Sequence, residues 1–394
     1  MEITDFFPKD GHVQTLYCDN CNKHLDLSFI DFDELITGVH IIINGLPVLH
    51  CAPCKKNHFP NRSRFAIIDL HKQAFSKNNS LVKVTRNKTN QNFGYGVAPF
   101  VYDSDDYEYI PGLKRSWDEG FLTPVFFNRE VLLKYDLSPT YRLNFASTTY
   151  GSINRGDDFS MSFGLNKNGK VIMWLGDIAE LPESEQYYLR SENINSDHSI
   201  GSEFYDGQIE CVFTDLSEKD ELFKSRSTFL EACFNKFEVK IAHLDAEVLD
   251  LTISFNAPII DTERERRHLA DTLNKIYIES FDNKILALLI RKLGGDPQNF
   301  GSIKRLQMLL EISCPNSIDI SSIMSPFYTL YDLRVAYSHL SSKEKSDEKL
   351  NFVIERLGIH QHSNLLDIYK SLVSKLINSF EILSKELHSN STST

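Results

Sequence analysis

The sequence predicts a multidomain α+β protein. It should have an N-terminal module built on paired cysteines, a central mixed α/β domain and a C-terminal up-and-down helical bundle. Three observations carry this prediction. Cysteines recur as Cys18-x2-Cys21 and Cys51-x2-Cys54. Alternating apolar runs and turn signals fill the middle of the chain. From residue 263 onward, apolar residues recur at three- and four-residue steps. At 394 residues the chain exceeds one typical domain. The pattern changes place the domains at 1–95, 96–260 and 261–388, with a polar tail at 389–394 that cannot bury anything and is read as disordered.

In the first module, each CxxC pair suits a tight knuckle that aims two thiolates at one ion. Two knuckles complete a tetrahedral four-sulfur shell, so Cys18, Cys21, Cys51 and Cys54 are read as ligands of a structural Zn2+ in a zinc ribbon. Asn44-Gly45 offers a hairpin turn between the pairs. His12, His24, His50 and His58 lie nearby, but four sulfurs already fill the shell, so they are bystanders. The cysteine spacing and the segment Val39–Val48 resemble the zinc-finger modules at the N-terminus of certain bacterial antitoxin and defence proteins, over about the first 60 residues.

A basic stretch follows. Lys55, Lys56, Arg62, Arg64, Lys72, Lys77, Lys83, Arg86 and Lys88 are accompanied by one acid, Asp69, in a chain of net charge −12. Such segregation predicts a phosphate-binding face, with Lys55, Lys56, Arg62, Arg64, Lys83, Arg86 and Lys88 as nucleic-acid contacts and Phe59, Phe65 and Phe93 as stacking candidates. The other reading is a surface whose charge is balanced by Asp103, Asp105, Asp106 and Glu108.

In the central region, Lys170–Leu175 follows Asn168-Gly169 and reads as a strand, as do Ile209–Phe213 and the alternating Leu249–Phe255. Between the last two, Ser217 to Phe237 reads as a helix, with Ser217 and Asp220 as its capping pair. Asp197, His198, Glu203 and Asp206 are possible ligands of a divalent ion, with solvated loop polars as the default reading. Trp174, Asp177, Tyr187, Tyr188 and Arg190 are either pocket-lining or core. No GxGxxG, P-loop, GxSxG or HExxH occurs, which argues against dinucleotide enzymes, P-loop NTPases, α/β-hydrolases and zincins.

The C-terminal region reads as helices over roughly 263–294, 301–312, 321–341, 344–357 and 363–387. Gly294-Gly295-Asp296-Pro297 stops the first. In the last, Leu365, Ile368, Leu372, Leu376 and Phe380 form one apolar stripe. Within this region lies Tyr331-Asp332-Leu333-Arg334-Val335-Ala336-Tyr337-Ser338-His339-Leu340. A permanent cation five residues from a near-neutral acid/base suits phosphodiester chemistry. On an ideal helix that spacing is about 140° of rotation, so Arg334 and His339 converge only where the helix ends near Ser338 or where a second protomer completes the site. Ser341-Ser342-Lys343 is consistent with such an end.

This stretch, set in a late helix of a bundle, resembles the R-x4-6-H signature of the HEPN superfamily over about 262–387. The position after the Arg, often polar in that family, is Val335 here. The resemblance implies a metal-independent endoribonuclease of defence or toxin type, acting on RNA as a homodimer through the C-terminal bundle. Arg334 and His339 would be catalytic, supported by Asp332, Tyr337 and Ser338. The alternative is a non-enzymatic regulator that binds nucleic acid or protein, with the bundle as a dimerisation module. The acidic start Met1–Asp5 has no apolar run and no apolar segment is long enough to span a bilayer, so a cytoplasmic protein without a membrane partner is expected. In a reducing compartment, the seven cysteines are ligands or core fillers.

Overall fold

The structure, a computed structural model, describes residues 1–8, 13–88, 90–156, 159–212, 215–314, 319–339 and 342–389. The chain divides into two compact units, Met1–Asp215 and Leu216–Thr394. The protein is mixed α+β, with two largely antiparallel sheets and a helical C-terminal region. His12, Phe213, Leu340, Ser341 and the tail beyond Ser389 lie outside the described residues.

The first unit opens on a long hairpin, β1 (Asp26–Ile36) and β2 (Val39–Cys51), followed by β3 (Lys56–His58), α1 (Asn61–Ser76) and β4 (Leu81–Thr85). β1, β2 and β3 pair antiparallel in that order, and β4 joins β2 in parallel. The hairpin turn is Thr37-Gly38, where both residues have positive φ (42° and 83°), the geometry that matches strand twist. Asn44-Gly45, expected as the turn, lies inside β2 instead. There Gly45 (φ 76°) sits in a bulge, since register shifts between Ile30 and Phe32 on the facing strand. The bulge ends the alternation. Val39, Ile41 and Ile43 are buried in alternation before it, whereas Leu46, Pro47, Val48 and Leu49 are all buried after it, so the strand passes from one buried face to two. Val39, Ile41, Ile43 and Leu46, with Phe6, with Phe32 of β1 and with Ile67 and Ile68 of α1, make one small core.

The rest of this unit contains α2 (Ser104–Tyr109), β5 (Pro124–Phe127), α3 (Leu133–Leu137), β6 (Arg142–Phe145), β7 (Tyr150–Arg155), β8 (Phe159–Leu165), β9 (Val171–Trp174), α4 (Leu175–Ala179), α5 (Glu183–Glu192), β10 (Asn193–Ile194) and α6 (Glu203–Tyr205). Its six-stranded antiparallel sheet runs β10-β5-β9-β8-β7-β6. The Lys170–Leu175 strand is present as β9, reached through Gly169 at φ 75°. Residues 209–210 are not strand. They end a π-helical turn over Asp206–Glu210 that Cys211 terminates in the left-handed region (φ 55°).

The second unit is helical: α7 (Glu218–Phe237), α8 (Asp245–Ser254), α9 (Glu263–Asn274), α10 (Asn283–Lys292), α11 (Ser302–Ser313), α12 (Ile320–Ile323), α13 (Ser325–Ser338), α14 (Lys343–Leu357) and α15 (Leu365–Ser389). Ser217 caps α7 through the Asp220 amide, as expected. Leu249–Phe255 is a correction: α8 replaces the strand. Its apolar residues also satisfy a helical period, with Val248 and Thr252 buried on one face. Asp245 and Glu247 favour the positive end of a helix dipole. The helix expected over 263–294 breaks after a π-helical turn at Lys275–Glu279, because the Asp282 carboxylate caps a new helix at the amides of Lys284 and Ile285. α7 packs along α15, and α13 packs against α9 and α14. The predicted α15 stripe (Leu365, Ile368, Leu372, Leu376, Phe380) is buried in the common core. Among the described residues, no helix is long and apolar enough to cross a membrane.

Candidate functional sites

The two CxxC pairs adopt the same local structure. Tyr17 and His24 form an antiparallel bridge, and the chain between them closes with the Asn22 amide donating to the Cys18 carbonyl at 2.8 Å. Cys51 and Lys56 pair between β2 and β3, and the Lys55 amide donates to the Cys51 carbonyl at 2.7 Å. Asn22 and Lys55, each one residue past its second cysteine, both take φ 53°. A tight left-handed turn is thus what aims both sulfurs of a pair the same way.

Because His50 on β2 registers with Asp26 on β1, the two knuckles meet at one end of the hairpin. The sulfurs of Cys18, Cys21, Cys51 and Cys54 all lie within 4.8 Å of one another. Tetrahedral thiolate ligation with bonds of about 2.3 Å needs sulfurs roughly 3.8 Å apart, so small side-chain shifts complete the shell. The four cysteines can therefore hold a metal ion. The backbone N–H groups of Asn20, then Cys21, draw the Cys18 thiol down to about 6, favouring a thiolate there. Contact with Cys54 pushes Cys21 up to about 12, and burial raises Cys51. His24 Nε2 bonds Asp206 at 2.9 Å and His50 Nδ1 bonds Asn57 at 2.7 Å, whereas His58 lies against the Cys18 sulfur and helps to lower its pKa.

The basic stretch is largely answered by the acids named as its counterweight. Arg62 pairs with Glu108, Arg86 with Asp105 and Lys88 with Asp103. Arg86 also lies over the rings of Phe29 and Tyr109, at 4.9 and 5.4 Å. Arg64 donates to the Phe59 carbonyl at 2.9 Å, while Lys55, Lys56 and Lys83 are exposed. Phe59 packs with Phe6 and Phe32, and Phe93 with Tyr102 and Tyr107. Of the three stacking candidates, only Phe65 is exposed.

Asp197, His198, Glu203 and Asp206 do not converge. Asp197 accepts from Asn166 and Asn168, Glu203 from Ser147 and Thr149, and Asp206 from His24. His198 Nδ1 bonds the buried Asp106 at 2.7 Å, which raises the histidine pKa. Trp174 is core, stacked on Phe204, and the Tyr188 hydroxyl donates to the Val131 carbonyl.

In the helical unit α13 ends at Ser338, and His339 follows in extended conformation (φ −85°, ψ 139°). The helix end expected from the motif is therefore present. His339 is exposed and lines a cleft of about 560 Å³ whose other walls carry Arg266 and Arg267 of α9, Tyr337, and Lys343 and Asp347 of α14. Arg266 lies 5.9 Å from the Tyr337 ring and pairs with Asp261 at 2.5 Å. Burial pushes Tyr337 up to about 12, so it stays a neutral phenol at neutral pH. Arg266, Arg267 and Lys343 went unrecognised in the sequence. The run Arg264-Glu265-Arg266-Arg267 was the available signal, but it lies far from the motif along the chain.

Arg334 does not line this cleft. Its guanidinium meets Asp271 of α9 at 3.3 Å and Glu279 at 3.2 Å. Asp332 bridges α13 to α14 through Lys349 (3.2 Å) and Arg356 (2.7 Å). Ser338 Oγ is buried and has no partner among the described residues. Compared with known families, curated proteins and solved structures, the chain shows no significant match to any.

Proposed function

We propose that this protein is a metal-independent, cytoplasmic endoribonuclease of HEPN type, dimeric through its helical unit and carrying a structural Zn2+ on its four cysteines. The observation that supports it best is the end of α13 at Ser338, which frees His339 from the helical angle and sets it in a cleft bearing Arg266, Arg267 and Lys343. RNA cleavage by its own 2′-hydroxyl fits this equipment. One imidazole takes the 2′-proton, the 2′-oxygen bonds to phosphorus, and the P–O5′ bond breaks as a second imidazole protonates the leaving oxygen. Two protomers supply the two His339 side chains, and arginines neutralise the phosphorane. At the cysteine site, four sulfurs leave the ion no open position, so its role is to hold the fold.

A second reading has its own support. Arg334, the cation the motif assigns to phosphate, faces two carboxylates, and that favours a bundle used for binding. Incubating the purified protein with total RNA and EDTA, then mapping the cut ends, separates the two. Cyclic phosphate termini that vanish in His339→Ala support the nuclease. Equal cutting by the parent, His339→Ala and Arg334→Ala, or no cutting at all, rejects it.

A further inference from the structure

We propose that the groove between α7 and α8 binds a small amphiphilic carboxylate, with its apolar body along Phe223, Leu230, Phe234 and Val248 and its carboxylate on Arg226. The proposal is independent of the RNA reading and concerns a different face of the helical unit.

α7 carries two apolar stripes. Leu222, Phe229 and Cys233 belong to the common core. Phe223, Arg226, Leu230 and Phe234, at three- and four-residue steps, face a groove of about 470 Å³ closed on its far side by Ile241, Val248 and Leu249. That volume falls in the range that encloses a small ligand. Phe234 and Leu249 remain 47% and 46% exposed at its lips, while Val248 and Ile241 belong to the core and Phe223 and Leu230 pack against it, so the groove has an apolar floor and open apolar lips.

Arg226 is only 4% exposed, yet no carboxylate pairs with it among the described residues. Nη2 donates to Ser280 Oγ at 2.9 Å, and buried Nε has no hydrogen-bond partner among the described residues. A guanidinium stays charged, and one neutral hydroxyl with the Phe223 ring at 5.9 Å leaves the buried Nε–H unmet and the charge without a counter-ion in contact. Asp245 acts on Arg226 only through space and pairs instead with Lys240 at 3.5 Å. An incoming carboxylate would answer that charge through the fork geometry of arginine. A monoanion is favoured over phosphate, because the groove offers one buried cation and also carries Glu231 and Asp245.

Calorimetric titration of the full chain with decanoate, decanol and inorganic phosphate tests this. Decanoate should bind at one per chain and at least tenfold more tightly than decanol, and phosphate should not bind. In Arg226→Met, decanoate should fall to the affinity of decanol. If that variant does not fold, Phe234→Glu at the lip should weaken decanoate at least tenfold. Equal binding of decanoate and decanol to the parent overturns the proposal. So does phosphate binding as tight as decanoate, or undiminished decanoate affinity in the variant that folds.

Discussion

The four cysteines and the Arg334/His339 pair are both short motifs read from spacing, yet they behave differently in the fold. The sulfurs gather within 4.8 Å, whereas Arg334 and His339 serve different surroundings, one facing Asp271 and Glu279 and the other lining a cleft. The difference lies in what sets each geometry. A CxxC knuckle is decided within five residues by a left-handed turn, so its spacing dictates its shape. An Arg and a His five apart on a helix are turned away from each other, and their meeting depends on where the helix ends and what packs beside it.

The largest expected effect tests the cysteine half of this contrast. Structural zinc binding contributes on the order of 10 kcal/mol. Cys51→Ser combined with Cys54→Ser should remove the metal found by elemental analysis and unfold the N-terminal module at temperatures where the parent is folded. One metal per chain retained by the double variant would mean the ion sits elsewhere. Next comes the other half. His339→Ala should lower RNA cleavage by about 10²- to 10⁴-fold, the usual loss of an acid/base group, with an unchanged thermal midpoint. A drop in midpoint without loss of cutting would make His339 a packing residue.

Arg86→Gln asks whether the basic stretch is structural or functional. It leaves Asp105, 4% exposed, without its cation, so stability should fall by about 3 kcal/mol in denaturant titration. Lys83→Gln, exposed on the same segment, should leave stability unchanged and lower any RNA affinity at low salt. An Arg86→Gln variant as stable as the parent would return that residue to the nucleic-acid reading. The smallest effect belongs to Arg334→Ala. Its two partly exposed ion pairs should be worth about 1 kcal/mol together. A loss of cleavage as deep as that of His339→Ala, at near-parental stability, would bring Arg334 back into the chemistry.

Legibility followed the same division between local and distant causes. The knuckles, the Ser217 cap, the stop at Gly294 and the α15 stripe are written in neighbouring residues and were readable there. Leu249–Phe255 misled because its apolar residues fit both a period of two and a helical period, and only burial of Val248 and Thr252 on one face decides between them. Asn44-Gly45 misled because a glycine at positive φ serves a bulge as readily as a turn, and Thr37 is not a residue that advertises positive φ. The cations of the His339 cleft and the acids around Arg334 were invisible for another reason. They come from α9, the turn after it and α14, so only tertiary packing reveals them.

The meeting of the two knuckles at one end of the β1–β2 hairpin also makes a bound ion a cross-link. Cys21 and Cys51 are 30 positions apart, and a disulfide closing a loop of that span would remove chain entropy from the unfolded state worth about 3–4 kcal/mol. An ion held by both knuckles closes the same loop. It would clamp strands whose in-register pairing is already interrupted by a bulge, and so guard against the one-residue slip that would turn Val39, Ile41 and Ile43 out of the core.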